Sequence, residues 1–391
     1  MAQTPAAERI PRADTEMTAH HYCFFAERQV GIGSAAQAIE PYVRAAGHTW
    51  CDVTYVEEGG LIERLPGPKR GKGTLRGFVQ VARTLRRRRY DGLFFLTHNP
   101  AVFHPWALMR FPTLLWTDVT PAQLDGQAEQ YGHTVDRAEV VRRLKRAAVR
   151  STFHRARLVV GWSRWARRSF VDDYGVAEAR TRVVPPGIDL ARWRLPERGP
   201  SEGLPRLLFV GGDFERKGGR LLLEVFREHF RGRAELDLVT RDPVAEEPGV
   251  RVHRGLTAGS EALLELYRAA SAFVLPTQGD CFSIASLEAM AMGLPVVVSD
   301  VGGISDIVEV ERSGFLMPPR DGRALREALE RLAGDGNLRQ QLGHRGRALV
   351  EEKFDASRSA DTLMSLLRQA VDSAPEGGAE TARSAVLRAS R

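Results

Sequence analysis

With 391 residues, 43% of them hydrophobic and 27% charged, the chain has the length and composition of a globular protein of two domains. No apolar run approaches the roughly 18 residues that cross a bilayer. The N-terminus has no secretion-signal core, and Cys23, Cys51 and Cys281 are too scattered for a disulfide framework or a cysteine metal site, so the expected location is cytoplasmic.

Residues 1–19 are polar and are expected to be disordered. From residue 20 short apolar runs alternate with helical stretches. Residues 22–25 read as a strand, followed by the turn Gly31-Ile32-Gly33-Ser34 and a helix to about Ala46. Further strands are expected at 53–56, 92–96, 113–116 and 158–162. The stretch 195–205, with three prolines and two glycines, reads as an inter-domain linker. The pattern then restarts, with strands expected at 206–210, 235–239, 272–275 and 295–298. Leu222, Val225, Phe226 and Phe230 form one helical stripe. Asp355 is placed to cap a last helix ending near residue 371, and the tail 372–391 is expected to be disordered. This alternation predicts an α/β chain of two Rossmann-like domains facing across a cleft, residues 20–186 and 187–371, with ligand loops at the carboxyl ends of the strands. The last helix is expected to pack back on the first domain.

The net charge of +7 is clustered, at Arg86, Arg87, Arg88 and Arg89, then at Arg142, Arg143, Lys145, Arg146 and Arg150. These clusters suit either solvated helix faces or peripheral contact with the anionic inner face of a membrane. No nucleic-acid-binding signature accompanies them.

The loop after 206–210 reads Gly211-Gly212-Asp213-Phe214-Glu215-Arg216-Lys217-Gly218-Gly219. Its glycines admit close approach of a ligand to the backbone. Lys217 adds a point charge where a helix begins, and the combination suits a diphosphate. The loop Thr277-Gln278-Gly279-Asp280-Cys281-Phe282-Ser283 precedes another helix, whose free N–H groups near Ser283 and Ile284 point at an anion. Asp280 sits in the loop mouth. Glu288 lies more than one turn into the helix, where a carboxylate accepts from ribose hydroxyls. Each spacing taken alone also fits a plain turn, with Asp280 a cap and Glu288 facing solvent. In the first half, His98 and Asp118 each follow an expected strand. Gly31 and Gly33 lack the third glycine and the acidic residue of a dinucleotide fingerprint.

The segment from Gly279 to Val297 (GDCFSIASLEAMAMGLPVV) resembles the retaining GT-B glycosyltransferases of family four. Val210-Gly211-Gly212, Lys217-Gly218, Val301-Gly302-Gly303 and Ser313-Gly314-Phe315-Leu316 extend the likeness, as do Ser163-Arg164-Trp165-Ala166 and Val184-Pro185-Pro186-Gly187-Ile188-Asp189 at the domain crossover. It spans about residues 159–355. The resemblance implies a GT-B fold with an N-terminal acceptor domain and a C-terminal donor domain. It implies a nucleotide diphosphate sugar, UDP or GDP, as donor, a sugar or lipid-linked acceptor, and no cofactor. Lys217 would hold the diphosphate, with Asp280 and the amides near Phe282 and Ser283 on the transferred sugar and Glu288 on the ribose. No Asp-X-Asp motif occurs, so the transfer is expected to be metal-independent.

Three positions depart from the family pattern. Asp280 stands where glutamate is common. Gly212 stands where an arginine precedes the lysine by five, with Arg216 as the nearby substitute. Asp118 stands where a histidine follows the matching strand, so Asp118 or His98 is left to position the sugar, while Gly31 and Gly33 face donor phosphates or acceptor. The expected activity is retaining hexosyl transfer, with Lys217, Asp280 and Asp118 catalytic. The alternatives are a non-catalytic sugar-nucleotide-binding protein and a GT-B epimerase.

Overall fold

Twelve short strands form two six-stranded, wholly parallel sheets in the computed structural model, which describes residues 20–28, 31–55, 62, 69–132, 138–196 and 203–373. The first unit runs β1 (Tyr22–Glu27), α1 (Ile32–Ala45), β2 (Thr49–Val53), α2 (Lys69–Arg87), β3 (Gly92–Leu96), α3 (Asn99–Val102), α4 (Pro105–Arg110), β4 (Thr113–Thr117), α5 (Pro121–Gly126), α6 (Glu139–Arg155), β5 (Leu158–Gly161), α7 (Arg164–Asp172) and β6 (Thr181–Val183). The second runs β7 (Arg206–Val210), α8 (Gly219–His229), β8 (Glu235–Val239), β9 (Val250–His253), α9 (Glu261–Ala269), β10 (Ala272–Leu275), α10 (Ile284–Ala291), β11 (Val296–Ser299), β12 (Gly314–Met317), α11 (Gly322–Gly334), α12 (Gly336–Lys353) and α13 (Ala356–Asp372).

Every residue of β1, β3 and β4 is buried, because helices cover both faces of the sheet. Phe24, Phe94 and Trp116 point to one face, Phe25, Phe95 and Leu115 to the other, as the two-residue period requires. The edge strands behave differently. β2 pairs only with β1, from Cys23 opposite Thr49 to Glu27 opposite Val53, and its sequence is half polar. It therefore starts at Thr49, four residues before the apolar run expected at 53–56, of which residue 56 lies outside the described residues. The other edges, β6, β9 and β12, have three or four residues each, and β6 and β9 mix charged with apolar side chains.

The sheet orders are β2-β1-β3-β4-β5-β6 and β12-β11-β10-β7-β8-β9. Strand order reverses at β1/β3 in the first and at β7/β10 in the second, and such switch points open a crevice beyond the carboxyl ends of the strands. The chain crosses between the units near Ile188, whose N–H donates to Phe354 O (2.7 Å) and whose carbonyl accepts from Ala356 N (3.1 Å). Trp193 already packs edge-on against Tyr267 of the second unit, with ring centroids 5.2 Å apart. The crossing thus precedes the Pro/Gly-rich stretch expected as linker, of which residues 197–202 lie outside the described residues. Asp355 caps α13 by accepting from the N–H groups of Ser357 and Arg358. α13 packs on α1, β3, β4 and β5 of the first unit and runs through Asp372, where the tail was expected to begin. The terminal segments 1–19 and 374–391 lie outside the described residues.

Candidate active site

The loops that close the β7/β10 crevice are drawn together by two glycines. Gly218 has φ +79°, and a Cβ there would lie 1.9 Å from Pro276 O, so only glycine lets the β7–α8 loop lean on the end of β10. Gly302 has φ +58°, and its Cβ would lie 1.9 Å from Asp280 O. Gly303 N–H then donates to Cys281 O at 2.9 Å. The 302–303 turn thereby props the loop that carries Asp280.

Lys217 and Asp280 meet as a result, with Nζ 2.5 Å from Oδ2 and both side chains largely buried. Arg216, the expected substitute cation, is committed elsewhere. Its guanidinium donates to Gly279 O (2.8 Å) and Asp213 Oδ2 (3.2 Å) and lies 4.4 Å from the centroid of the Tyr131 ring. It clamps the Asp280 loop to the first unit rather than reaching into the crevice.

Position 212 holds the less foreseeable arrangement. A Cβ on Gly212 would meet Arg241 Nε at 2.9 Å, so a guanidinium from the loop after β8 fills the space beside it. Among the described residues Arg241 makes one hydrogen bond, a long one of 3.4 Å from Nε to Gly212 O. Arg241 was not singled out from sequence. The available signal was its place two residues past the carboxyl end of a buried strand.

Ser283 caps α10, its hydroxyl accepting from Ser286 N at 3.2 Å. The first-turn N–H groups stay free of intrahelical partners, as at any helix start. Phe282 lies edge-on to Trp162 of the first unit, with centroids 5.9 Å apart. Glu288 is not solvent-facing. It is buried, accepts from Tyr267 Oη at 3.0 Å, and burial pushes its carboxyl up to about 7 despite that bond and nearby Arg192. It lines a pocket with Ile284, Arg192 and, from α1, Ser34 and Gln37. Gly31 (φ +88°) and Gly33 precede Ser34 at the start of α1 but do not themselves line this pocket.

Asp118 follows β4 across the cleft. Burial, reinforced by the charges of Asp280 and Glu27, pushes its carboxyl up to about 6. The charge of Asp280 thus acts on Asp118 from the other unit. Glu27, at the end of β1, was also missed from sequence. It is fully buried and accepts from Tyr55 Oη, Thr97 Oγ1 (2.7 Å) and Asn99 Nδ2 (3.4 Å), holding Thr97 at φ +84°. The other first-half candidate, His98, is packed edge-on against Phe153 of α6, at 5.6 Å between centroids. Burial drops its imidazole to about 4, so it is neutral, and its Nδ1 has no hydrogen-bond partner among the described residues.

Comparisons with known proteins bear on the family and the fold. The family model described as Glycosyltransferase Family 4 matches residues 37–192, and that described as Glycosyl transferases group 1 matches residues 204–335. A D-inositol 3-phosphate glycosyltransferase of Nocardia farcinica is 30% identical over 203 residues, which are 46% of this chain and 45% of that protein. The chain spans about half the length of the curated relatives it matches. Among solved structures, sucrose-phosphate synthase from Thermosynechococcus elongatus superposes with a TM-score of 0.70 at 18% identity, covering 91% of this chain and 100% of that one. The Anabaena HepE protein in complex with UDP-glucose gives 0.67 at 17% identity, covering 90% and 100%. These two share the fold. Two matched family models, one on each side of the crossover, and a site at the switch point of the second sheet identify the chain as a member of the group 1, family four glycosyltransferases with their GT-B architecture.

Proposed function

We propose that this protein transfers a hexose-type sugar from a nucleotide diphosphate sugar to an acceptor hydroxyl, with retention at the anomeric carbon and without a metal ion. The observation that carries the reading is the convergence, at one switch point, of Lys217, the start of α10 and buried Glu288. A leaving diphosphate needs fixed positive charge and N–H donors rather than a carboxylic acid. Lys217 and the Ser283 helix start supply these, and Arg241 is the cation we add. Glu288 would take the ribose hydroxyls and Asp280 the sugar hydroxyls. Asp118, at the carboxyl end of β4, suits sugar positioning better than His98, whose ring serves the packing of α6. The first turn of α1, with Gly31 and Gly33, would close over the donor from the other side. UDP is the first donor base to test, since HepE is seen with UDP-glucose. GDP is the second.

The epimerase alternative draws on one observation: a carboxyl near pKa 6 at Asp118 is poised for proton transfer. A thermal-shift screen against UDP-, GDP-, ADP- and dTDP-sugars, followed by product analysis, separates the readings. Stabilisation by a UDP- or GDP-sugar with slow release of free sugar of unchanged anomeric configuration supports transfer. An epimerised product favours the epimerase, and binding with no sugar release across the panel favours a non-catalytic protein. No stabilisation by any nucleotide sugar overturns the proposal.

A further inference from the structure

Glu27 is a fully buried carboxyl with no part in the donor site. It ends β1 at the β1/β3 switch point, where the first sheet opens a crevice of its own. A carboxylate taken out of water is costly unless donors satisfy it. Three side chains from two other segments do so: Tyr55 Oη, Thr97 Oγ1 at 2.7 Å and, more distantly, Asn99 Nδ2 at 3.4 Å. Burial still holds the carboxyl above its ordinary value.

The donor beyond β2 is built in. α2 makes room for Tyr55, since a Cβ on Gly77 would lie 2.7 Å from the Tyr55 ring and one on Gly73 would lie 2.7 Å from its carbonyl oxygen. Burial and the Glu27 carboxylate push the phenol up, so it stays a donor.

The donor beyond β3 is strained. Thr97 has φ +84°, where a β-branched residue is an outlier that persists only if its surroundings over-determine it. Its N–H donates to Trp116 O at 2.9 Å, and its hydroxyl donates to Glu27 while accepting from Asn99 N–H at 3.4 Å. The chain therefore leaves β3 abruptly, packs His98 against Phe153 and starts α3 at Asn99. Leu96 lies opposite Trp116 in the ladder, so this turn and Asp118 leave neighbouring strands at nearly the same level.

The charge of Glu27 also acts on Asp118. The other charge that bears on Asp118 is Asp280, before α10, which is itself paired with Lys217. Cys281 stays a neutral thiol through burial and the charges of Asp118 and Asp280, and His98, in the β3 turn, is neutral.

We propose that Glu27 is a positioning residue for the transfer: its hydrogen bonds fix the turn at the end of β3, and its charge acts on Asp118 at the end of the neighbouring strand. The consequence for the rate rests on the transferase reading; the link from Glu27 to Asp118 does not.

Carbon-13 NMR of protein labelled at its aspartate carboxyls, with the Asp118 signal assigned through Asp118→Asn, reads the titration of Asp118 without turnover. In Glu27→Gln its midpoint should move to lower pH, because a negative charge that raises it is gone. It should stay above the ordinary carboxylate value, because burial and Asp280 remain. An unmoved midpoint overturns the electrostatic half. The turn is tested by release of free sugar from UDP- and GDP-sugars, with the Glu27 carboxylate left in place, so it is decided even where Glu27→Gln does not fold. Thr97→Val keeps the shape and the strain but loses the hydroxyl, and should lower kcat about tenfold or more with little change in donor KM. Thr97→Gly loses the hydroxyl too, yet takes a positive φ without strain, and should recover most of that loss. Equal losses in the two variants would make the hydroxyl itself a ligand contact, and wild-type rates in both would leave the turn without a role; either result overturns the positioning. Wild-type protein that releases no sugar from any donor overturns the transferase reading and the turn's bearing on the rate, while the NMR titration still decides the link from Glu27 to Asp118.

Discussion

Lys217 Nζ lies 2.5 Å from Asp280 Oδ2, so the ammonium suited to the donor diphosphate is held by the carboxylate suited to the sugar. An incoming donor must compete with Asp280 for that ammonium. Asp280→Asn should therefore raise affinity for a free nucleoside diphosphate several-fold and lower turnover. Lys217→Ala should lower kcat about a hundredfold. Calorimetry and steady-state kinetics check both. Weaker diphosphate binding in Asp280→Asn would show that the pair acts as a structural tie instead.

Arg241 and Arg216 should separate cleanly. Arg241 is nearly uncommitted beside Gly212, whereas Arg216 bonds Gly279 O and covers Tyr131. Arg241→Ala should weaken a nucleoside diphosphate about tenfold, the scale of one charge-assisted contact, and leave the nucleoside alone unaffected. Arg216→Ala should chiefly lower Tm. Equal losses for nucleoside and diphosphate in Arg241→Ala would assign that residue to loop structure.

Glu288 makes stability depend on pH with a definite sign. Its carboxyl rises from an ordinary 4.5 to about 7 on folding, so the folded state holds the proton more tightly. The cost of the buried charge is absent below the ordinary value, grows as pH rises between the two, and is fully present above about 7. Glu288→Gln should raise Tm at pH 8, with the gain fading towards pH 5. If the carboxylate takes the ribose, wild-type donor affinity should fall below pH 7, and the variant should bind weakly with no such dependence. Thermal melts and calorimetry across pH 5–8 decide it. A pH-independent wild-type affinity would remove Glu288 from the ribose.

Asp118 offers a second titration. Burial, with Asp280 and Glu27, lifts its carboxyl to about 6, so the acid limb of kcat should fall near that pH. Asp118→Asn should abolish this limb, lower kcat and leave nucleotide affinity nearly unchanged, because the residue lies across the cleft from the donor loops. It should also raise Tm at pH 8 by removing a charge that burial and the carboxylates of Asp280 and Glu27 disfavour. Unaltered kcat with an unaltered pH profile would leave Asp118 as a loop residue only.

The interior strands were legible because both faces are covered by helices. Phe24, Phe94, Leu115 and Leu208 leave unbroken apolar runs in the sequence. The edge strands were not. β2, β6 and β9 have one neighbour each and mix Thr, Asp, Arg and His among their apolar residues, so β2 was expected four residues late and β6 and β9 left no run to read, while the short run Phe315-Leu316-Met317 of β12 was not read as a strand. The crossover was read at Val184-Pro185-Pro186-Gly187-Ile188-Asp189, but the linker was expected beyond it, at 195–205. A Pro/Gly-rich stretch looks like a linker, but Ile188 is held to Phe354 and Ala356 by hydrogen bonds between distant parts of the chain.

What the sequence determined by itself was local: the strand–helix alternation, the glycines of the binding turns, the helix start at Ser283, and the identity of Lys217, Asp280 and Glu288. Those features depend on neighbours within a few residues, which is the range over which periodicity and turn chemistry act. Tertiary structure decided which charges meet. It paired Lys217 with Asp280, drew Arg216 out of the crevice onto Gly279, and set Arg241 beside Gly212 from another strand. It also buried Glu288 and brought Asp118 under the charge of Asp280. Each of these is a contact between segments brought together by the strand order, and the strength of each depends on how much water the fold excludes around it.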